Sequence, residues 1–184
     1  LPSWLRAAHL ISAREPRARF VIVGDGPERQ RLVKLCRALS LDRKLIWAGQ
    51  RNGVEYLPLF NVFMQSSLYE GLSMAVLEAM AAGLAVVATR VGGTPEVVRE
   101  NETGLLVARG DDEALAEAVL ALLADHEWRR DMGERGRALV ARDFTEEAMV
   151  ARVAQLYEQL CARTPRLPTG ASSPARNPST GDTR

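Results

Sequence analysis

Five short apolar runs rich in β-branched residues, separated by segments of helical periodicity, constrain this chain more than any other feature. They are "RFVIVG" from residue 19, "KLIWAG" from 44, "NVFMQS" from 61, "LAVVAT" from 84 and "ETGLLVA" from 102. Runs of this length without polar alternation read as strands covered on both faces, which parallel sheets provide. Between them Trp4, Leu5, Ala8 and Ile11, and then Leu32, Leu35 and Leu39, recur at helical spacing. "VEYLPLF" reads as a short helix disrupted by Pro58, "SMAVLEAMAAG" as a helix stopped by Gly83, and "TPEVVRE" as a further short helix. Strands alternating with helices predict an α/β chain: a Rossmann-like parallel sheet with helices on both faces. From Asp111 onward three C-terminal helices are expected, with Asp111 and Thr145 as N-caps.

The expected organisation is one domain over residues 1–162 and a disordered tail over 163–184, where Pro, Ser, Thr and Gly replace apolar residues. The chain starts inside a helical pattern without an initiator Met, so the domain reads as N-terminally truncated. Hydrophobic residues make up 47% and charged residues 26%, as in a globular protein. The formal charge of +1, without a clustered basic face, argues against a nucleic-acid partner. No apolar run approaches the ~20 residues of a membrane span. Cytoplasmic chemistry is expected, with peripheral contact at the inner membrane face left open. Cys36 and Cys161 lie far apart without ligand spacing, so free thiols are expected and no metal or other cofactor is implied.

In parallel sheets, ligands bind beyond the carboxyl ends of the strands. The residues after each run are therefore the candidates. Gly24 and Gly26 follow the first run in "GDGPER", where either a tight turn or a ligand-facing backbone accounts for them. Arg51 follows the second, either as a partner for a base or phosphate or as a solvated loop residue. The third is followed by two carboxylates, Glu70 ahead of a helix start near Ser73 and Glu78 within the helix. They bracket a helix N-terminus at a separation on the order of 10 Å. That terminus is a seat for phosphate. A carboxylate on either side suits the hydroxyls of a sugar and a ribose, the layout of a nucleotide-sugar. The competing reading has Glu78 snorkelling from a half-exposed helix and Glu70 interacting only with the helix dipole. After the fourth run, Gly92 and Gly93 form either a second backbone cradle or a plain turn.

The stretch "EGLSMAVLEAMAAGLAVVATRVGGTPEVV", residues 70–98, closely resembles the donor-binding half of the retaining glycosyltransferases of family 4, which have the GT-B fold. Glu70 and Glu78 match that family's glutamate pair, and Gly92, Gly93, Pro95 and Glu96 its second signature. "FVIVGDGPERQRL" matches its glycine turn, and "ENETGLLV" its late strand. The resemblance implies hexosyl transfer from a nucleotide-sugar to an acceptor hydroxyl with retention. It gives Glu78 the ribose hydroxyls, Glu70 a catalytic place beside the donor sugar, and the backbone of Gly71, Leu72, Ser73, Met74 and Ala75 the sugar and distal phosphate. It also implies an acceptor, a carbohydrate or lipid-linked glycan, held by an N-terminal domain that precedes this chain, together with an Arg and a Lys for the diphosphate. Alone, the piece is expected to bind donor weakly and transfer little. The alternatives are a non-catalytic nucleotide-sugar-binding module and a nucleotide-sugar epimerase of the same architecture.

Overall fold

All five runs form strands in the computed structural model, which describes residues 1–163. The tail expected from residue 163 thus lies, but for Arg163, outside the described residues. In chain order the elements are α1 (Pro2–Arg14), β1 (Phe20–Val23), α2 (Arg29–Ala38), β2 (Leu45–Gly49), a 3₁₀ helix (Gly53–Leu59), β3 (Val62–Gln65), α3 (Met74–Ala81), β4 (Ala85–Thr89), α4 (Thr94–Val97), β5 (Gly104–Val107), α5 (Asp112–Ala124), α6 (His126–Asp143) and α7 (Glu146–Arg163). The segment containing Pro58 is a tighter 3₁₀ coil rather than an α-helix, started by the Asn52 side chain accepting from the Val54 amide. Asp111 and Thr145 cap as expected, each accepting from the amide three residues on, Ala114 and Ala148.

β4 shows why the strands read as buried on both faces. All five of its residues are buried. Successive side chains point to opposite faces of a strand. Ala85 and Val87 enter one apolar cluster with α1, α2 and α5, whereas Val86 and Ala88 enter another with α3, α4 and α6. Helices therefore cover both faces. α1 is further tied to α5 through Ser3 and Arg6, which both bond Asp112.

The pairing departs from a single continuous sheet. β1 pairs in parallel with β2, and β3, β4 and β5 form a separate parallel sheet. No ladder joins β1 to β3. A cavity of about 1250 Å³ lies along them, lined by all four residues of each strand. Trp4 bridges the two strands: its ring meets Phe20 edge-on at 5.8 Å, and its indole N–H donates to the Met64 carbonyl at 2.9 Å.

α3 is closed by Gly83 at φ +80, with the Leu84 amide on the Ala79 carbonyl and the Gly83 amide on that of Met80. α6 packs backbone to backbone on this turn. A Cβ at Gly133 would overlap the Gly83 carbonyl, and one at Gly136 would touch Met80 and the Thr103 carbonyl at 3.5 Å.

Candidate functional site

The loop from Ser66 to Ser73 joins the carboxyl end of β3 to the head of α3 and carries Glu70. It is held by its own side chains and by two neighbouring loops. Glu70 Oε1 accepts from the Ser67 hydroxyl at 2.7 Å and from Gln65 Nε2 at 3.3 Å. Gln65 Nε2 also donates to Ser73 Oγ at 2.9 Å. At the end of β4, Thr89 donates to the Ser67 carbonyl at 2.8 Å, and Arg109 donates to that of Leu68 at 3.2 Å.

The turn after β4 completes the support. The Gly93 amide donates to the Gly71 carbonyl at 2.9 Å. A Cβ at Gly93 would stand 2.5 Å from that oxygen, and one at Gly92 would overlap the Glu70 carbonyl. Gly92 also has φ +48, a conformation that favours glycine. Two glycines here are thus required by the close approach of two backbones. Of the two sequence readings, a cradle or a plain turn, the structure gives a third: a buttress for the glutamate loop.

α3 begins at Met74 with no side-chain cap, because the hydroxyl of Ser73 is engaged by Gln65 instead. Its first-turn N–H groups therefore keep their partial positive charge for an outside partner. Met74 and Ala75 are exposed there, while Val76 and Leu77 enter the core. Glu78 follows Met74 by about one turn. It is half-buried at the cavity with Ala75 and Arg51, and its carboxylate makes no hydrogen bond or ion pair with any described residue. Arg51, exposed on the same cavity, is equally unpaired. A carboxylate and a guanidinium facing one space without pairing leave both free for a polar ligand.

The structure thus brings Glu78, Ala75 and Arg51 to the cavity, along with Gln65, Ser66, Ser67, Leu68 and Tyr69. Glu70, Gly71, Leu72, Ser73 and Met74 are not in its lining, although the loop segments on either side of them are. Glu70 Oε2 has no partner among the described residues. Gly24 and Gly26 are not brought to this cavity. Gly24, at φ +122, donates its amide to the Gly49 carbonyl at 2.8 Å, and the Gly26 amide donates to the Asp25 side chain at 2.8 Å. Local turn geometry accounts for Gly24, while the space beside both glycines is open.

Sequence reasoning gave Ser67 and Thr89 no role, and Gln65 none beyond that of a tolerated departure from the family's usual residue. The available signal was an amide closing an apolar strand, "VFMQ", next to a short polar loop. Both cysteines are free, Cys36 buried and Cys161 exposed. Among the described residues no cluster of three or more His, Cys, Asp or Glu is placed to hold a metal ion. No described helix is long and apolar enough to cross a membrane.

Residues 2–139, from α1 into α6 and including both glutamates, match the family model described as glycosyl transferases group 1. The chain belongs to this family. Among glycosyl transferases group 1 relatives, the N-acetyl-α-D-glucosaminyl L-malate synthase of Bacillus anthracis is 36% identical over 141 residues, covering 76% of this chain and 37% of that protein. The solved sucrose-phosphate synthase of Thermosynechococcus elongatus superposes with a TM-score of 0.77 at 34% identity, over 88% of this chain and 43% of that one. The C-terminal domain of a glycosyl transferase group 1 family protein from Francisella tularensis gives 0.72 at 25% identity, covering 79% of each chain. The chain spans less than half the length of curated relatives such as the Bacillus anthracis synthase. The mixed α/β architecture with helix-covered parallel sheets is that of these GT-B enzymes.

Proposed function

We propose that this chain is the donor-binding part of a retaining, hexosyl-transferring glycosyltransferase that uses a nucleotide-diphosphate sugar. The observation that carries the reading is the pair of unspent carboxylate positions around an uncapped helix head: Glu78 without a partner, and Glu70 with one oxygen held and the other free. The diphosphate sits at the start of α3, contacted by the backbone of Gly71 to Ala75 and attracted by the positive end of the helix. Glu78 accepts from the ribose hydroxyls. Arg51 reaches the nucleotide from the cavity side, whereas Gly24 and Gly26, whose amides are bonded to Gly49 and Asp25, leave only open space beside the first turn. Glu70 accepts from hydroxyls of the donor sugar near the anomeric carbon.

Transfer with retention then follows a front-face course. The bond from the anomeric carbon to the diphosphate oxygen breaks, and the ring gains oxocarbenium character. The acceptor hydroxyl bonds to that carbon on the same face, and its proton passes to the departing phosphate oxygen. A fixed anion beside the ring stabilises the developing positive charge. The course calls for no metal or other cofactor. The acceptor, a carbohydrate or lipid-linked glycan, is held by an N-terminal domain in the longer protein. The reaction belongs in the cytoplasm, where nucleotide-sugars are made, with peripheral contact at the inner membrane face.

Calorimetric titration with UDP, GDP, ADP and their hexose conjugates tests this, with Glu78→Gln alongside. One nucleotide should bind selectively, and the variant should bind it more weakly by about 1–3 kcal/mol, the range for a hydrogen bond to a charged group. Thermal stability should be unchanged. Undiminished binding by Glu78→Gln, or no binding by the folded parent chain to any member of the set, would overturn the reading.

A further inference from the structure

We propose that Gln65 is a positioning residue that fixes which oxygen of Glu70 faces the donor sugar. The inference rests on the donor-site reading and adds to it a residue from the strand beneath the site. Val62 and Met64 pack with the cluster beside α1 and α5, whereas Phe63 packs with the one beside α3. Alternation along the strand therefore directs Gln65 to the α3 face, where an apolar residue would simply extend that cluster.

An amide placed there is costly unless its polar atoms are used. The same nitrogen reaches both Glu70 Oε1, at 3.3 Å, and Ser73 Oγ, at 2.9 Å. Its orientation is chemically determined, because the opposite rotamer would set the amide oxygen against the carboxylate. Ser73 is buried and accepts from Gln65, which anchors the amide against the head of α3. Gln65 and Ser67 together put two donors on Oε1. That fixes the plane of the carboxylate and leaves Oε2 as the oxygen without a partner among the described residues. Gln65 is neutral, so it orients the carboxylate without adding a charge beside a ring that becomes positive. A leucine here would preserve bulk and lose the orientation.

The test compares binding of the diphosphate alone with binding of its hexose conjugate, by calorimetry on the same chain with the set of UDP, GDP and ADP ligands. In Gln65→Leu, the preference for the conjugate over the bare diphosphate should fall about three- to tenfold, the range for one net hydrogen bond. The affinity for the diphosphate itself should fall less than that for the conjugate, because the released Ser73 hydroxyl touches only the helix head, whereas the conjugate also loses the orientation of Glu70. The fall should vanish when Gln65→Leu is made in a Glu70→Ala background, which a merely structural role would not predict. Gln65→Glu provides a second, isosteric variant for the case in which Gln65→Leu does not fold. It should lose the same preference at pH 8 and regain part of it toward pH 5, where a protonated carboxyl can donate again.

Equal weakening of both ligands, or an unchanged preference, would overturn the role of Gln65 and leave the donor site standing. Absence of binding to every member of the set by the folded parent chain would overturn the donor-site reading, and this inference with it.

Discussion

The β1–β2 pair and the β3–β4–β5 sheet each end in loops at their carboxyl edge, but the two sets of loops are built differently. Beside β1 and β2, hydrogen bonds are mostly local: Asp25 accepts from Gly26, Glu28 pairs with Arg31, and Asn52 holds Val54 and Glu55. Beside β3 and β4, they run between loops: Thr89 to Ser67, Arg109 to Leu68, and Gly93 to Gly71. Locally satisfied turns hold their own shape. Cross-linked ones hold each other's, and that is the stronger way to fix a carboxylate in place. Beside the glycines of the first half, Gly24 and Gly26, there is room for a side chain, whereas at Gly92 and Gly93 of the second there is none.

Substituting these glycines is the harshest way to break that comparison. Gly92→Ala forces a methyl into the Glu70 carbonyl and a side chain onto positive φ, so unfolding free energy should drop by about 2–4 kcal/mol. Nucleotide binding should go with it. Gly26→Ala meets nothing within 4 Å, and its stability should remain within about 0.5 kcal/mol of the parent. Urea denaturation of the two variants checks both; equal losses would erase the distinction between the two sets of loops.

A smaller effect is expected at Arg51, a charged residue that lines the cavity from the loop beyond β2. Because it is exposed and unpaired, Arg51→Ala should leave the melting temperature unchanged and weaken nucleotide binding by no more than about 1 kcal/mol. Titration calorimetry would reveal a larger loss, which would make the first half an equal partner in the site.

The gentlest probe is the thiol of Cys36 on α2, which covers the β1–β2 side. Burial raises its pKa above the usual thiol range, and the negative charge of Asp42 adds to the shift. The nucleophilic thiolate is thus disfavoured at neutral pH in the closed state. A disulfide reagent at pH 7 should therefore label Cys161 promptly and Cys36 only as fast as this half opens. Rapid modification of both thiols in the folded protein would show that α2 does not seal its strands.

Much of the fold was legible because local pattern and final environment agree. "AVVAT" is apolar along its whole length and lies buried along its whole length in the middle of its sheet. Gly83 ends α3 with the left-handed turn that a glycine after an alanine-rich helix suggests. Glu78, read as a carboxylate with little polar company, has no hydrogen-bond or ion-pair partner among the described residues, although Arg51 lines the same cavity. The division of the strands into two sheets was not legible, since periodicity reports which face of a strand is covered and not which strand lies beside it. The role of Gln65, from sequence only a tolerated departure, was equally hidden: it depends on Ser67, Glu70 and Ser73 folding back over the strand end. Helical spacing in α7 was clear too, yet Met149, Val153, Leu156 and Leu160 stand exposed along it. Periodicity alone does not say that a face is covered.

The missing side chain at Gly133 has a consequence far from where it sits. α6 rests directly on the turn that ends α3, so this backbone contact acts as a depth stop for the helix. α3 has eight residues and is about 12 Å long. Any residue larger than glycine at 133 would force α6 and this turn apart, a strain applied one helix length from the Glu70 loop.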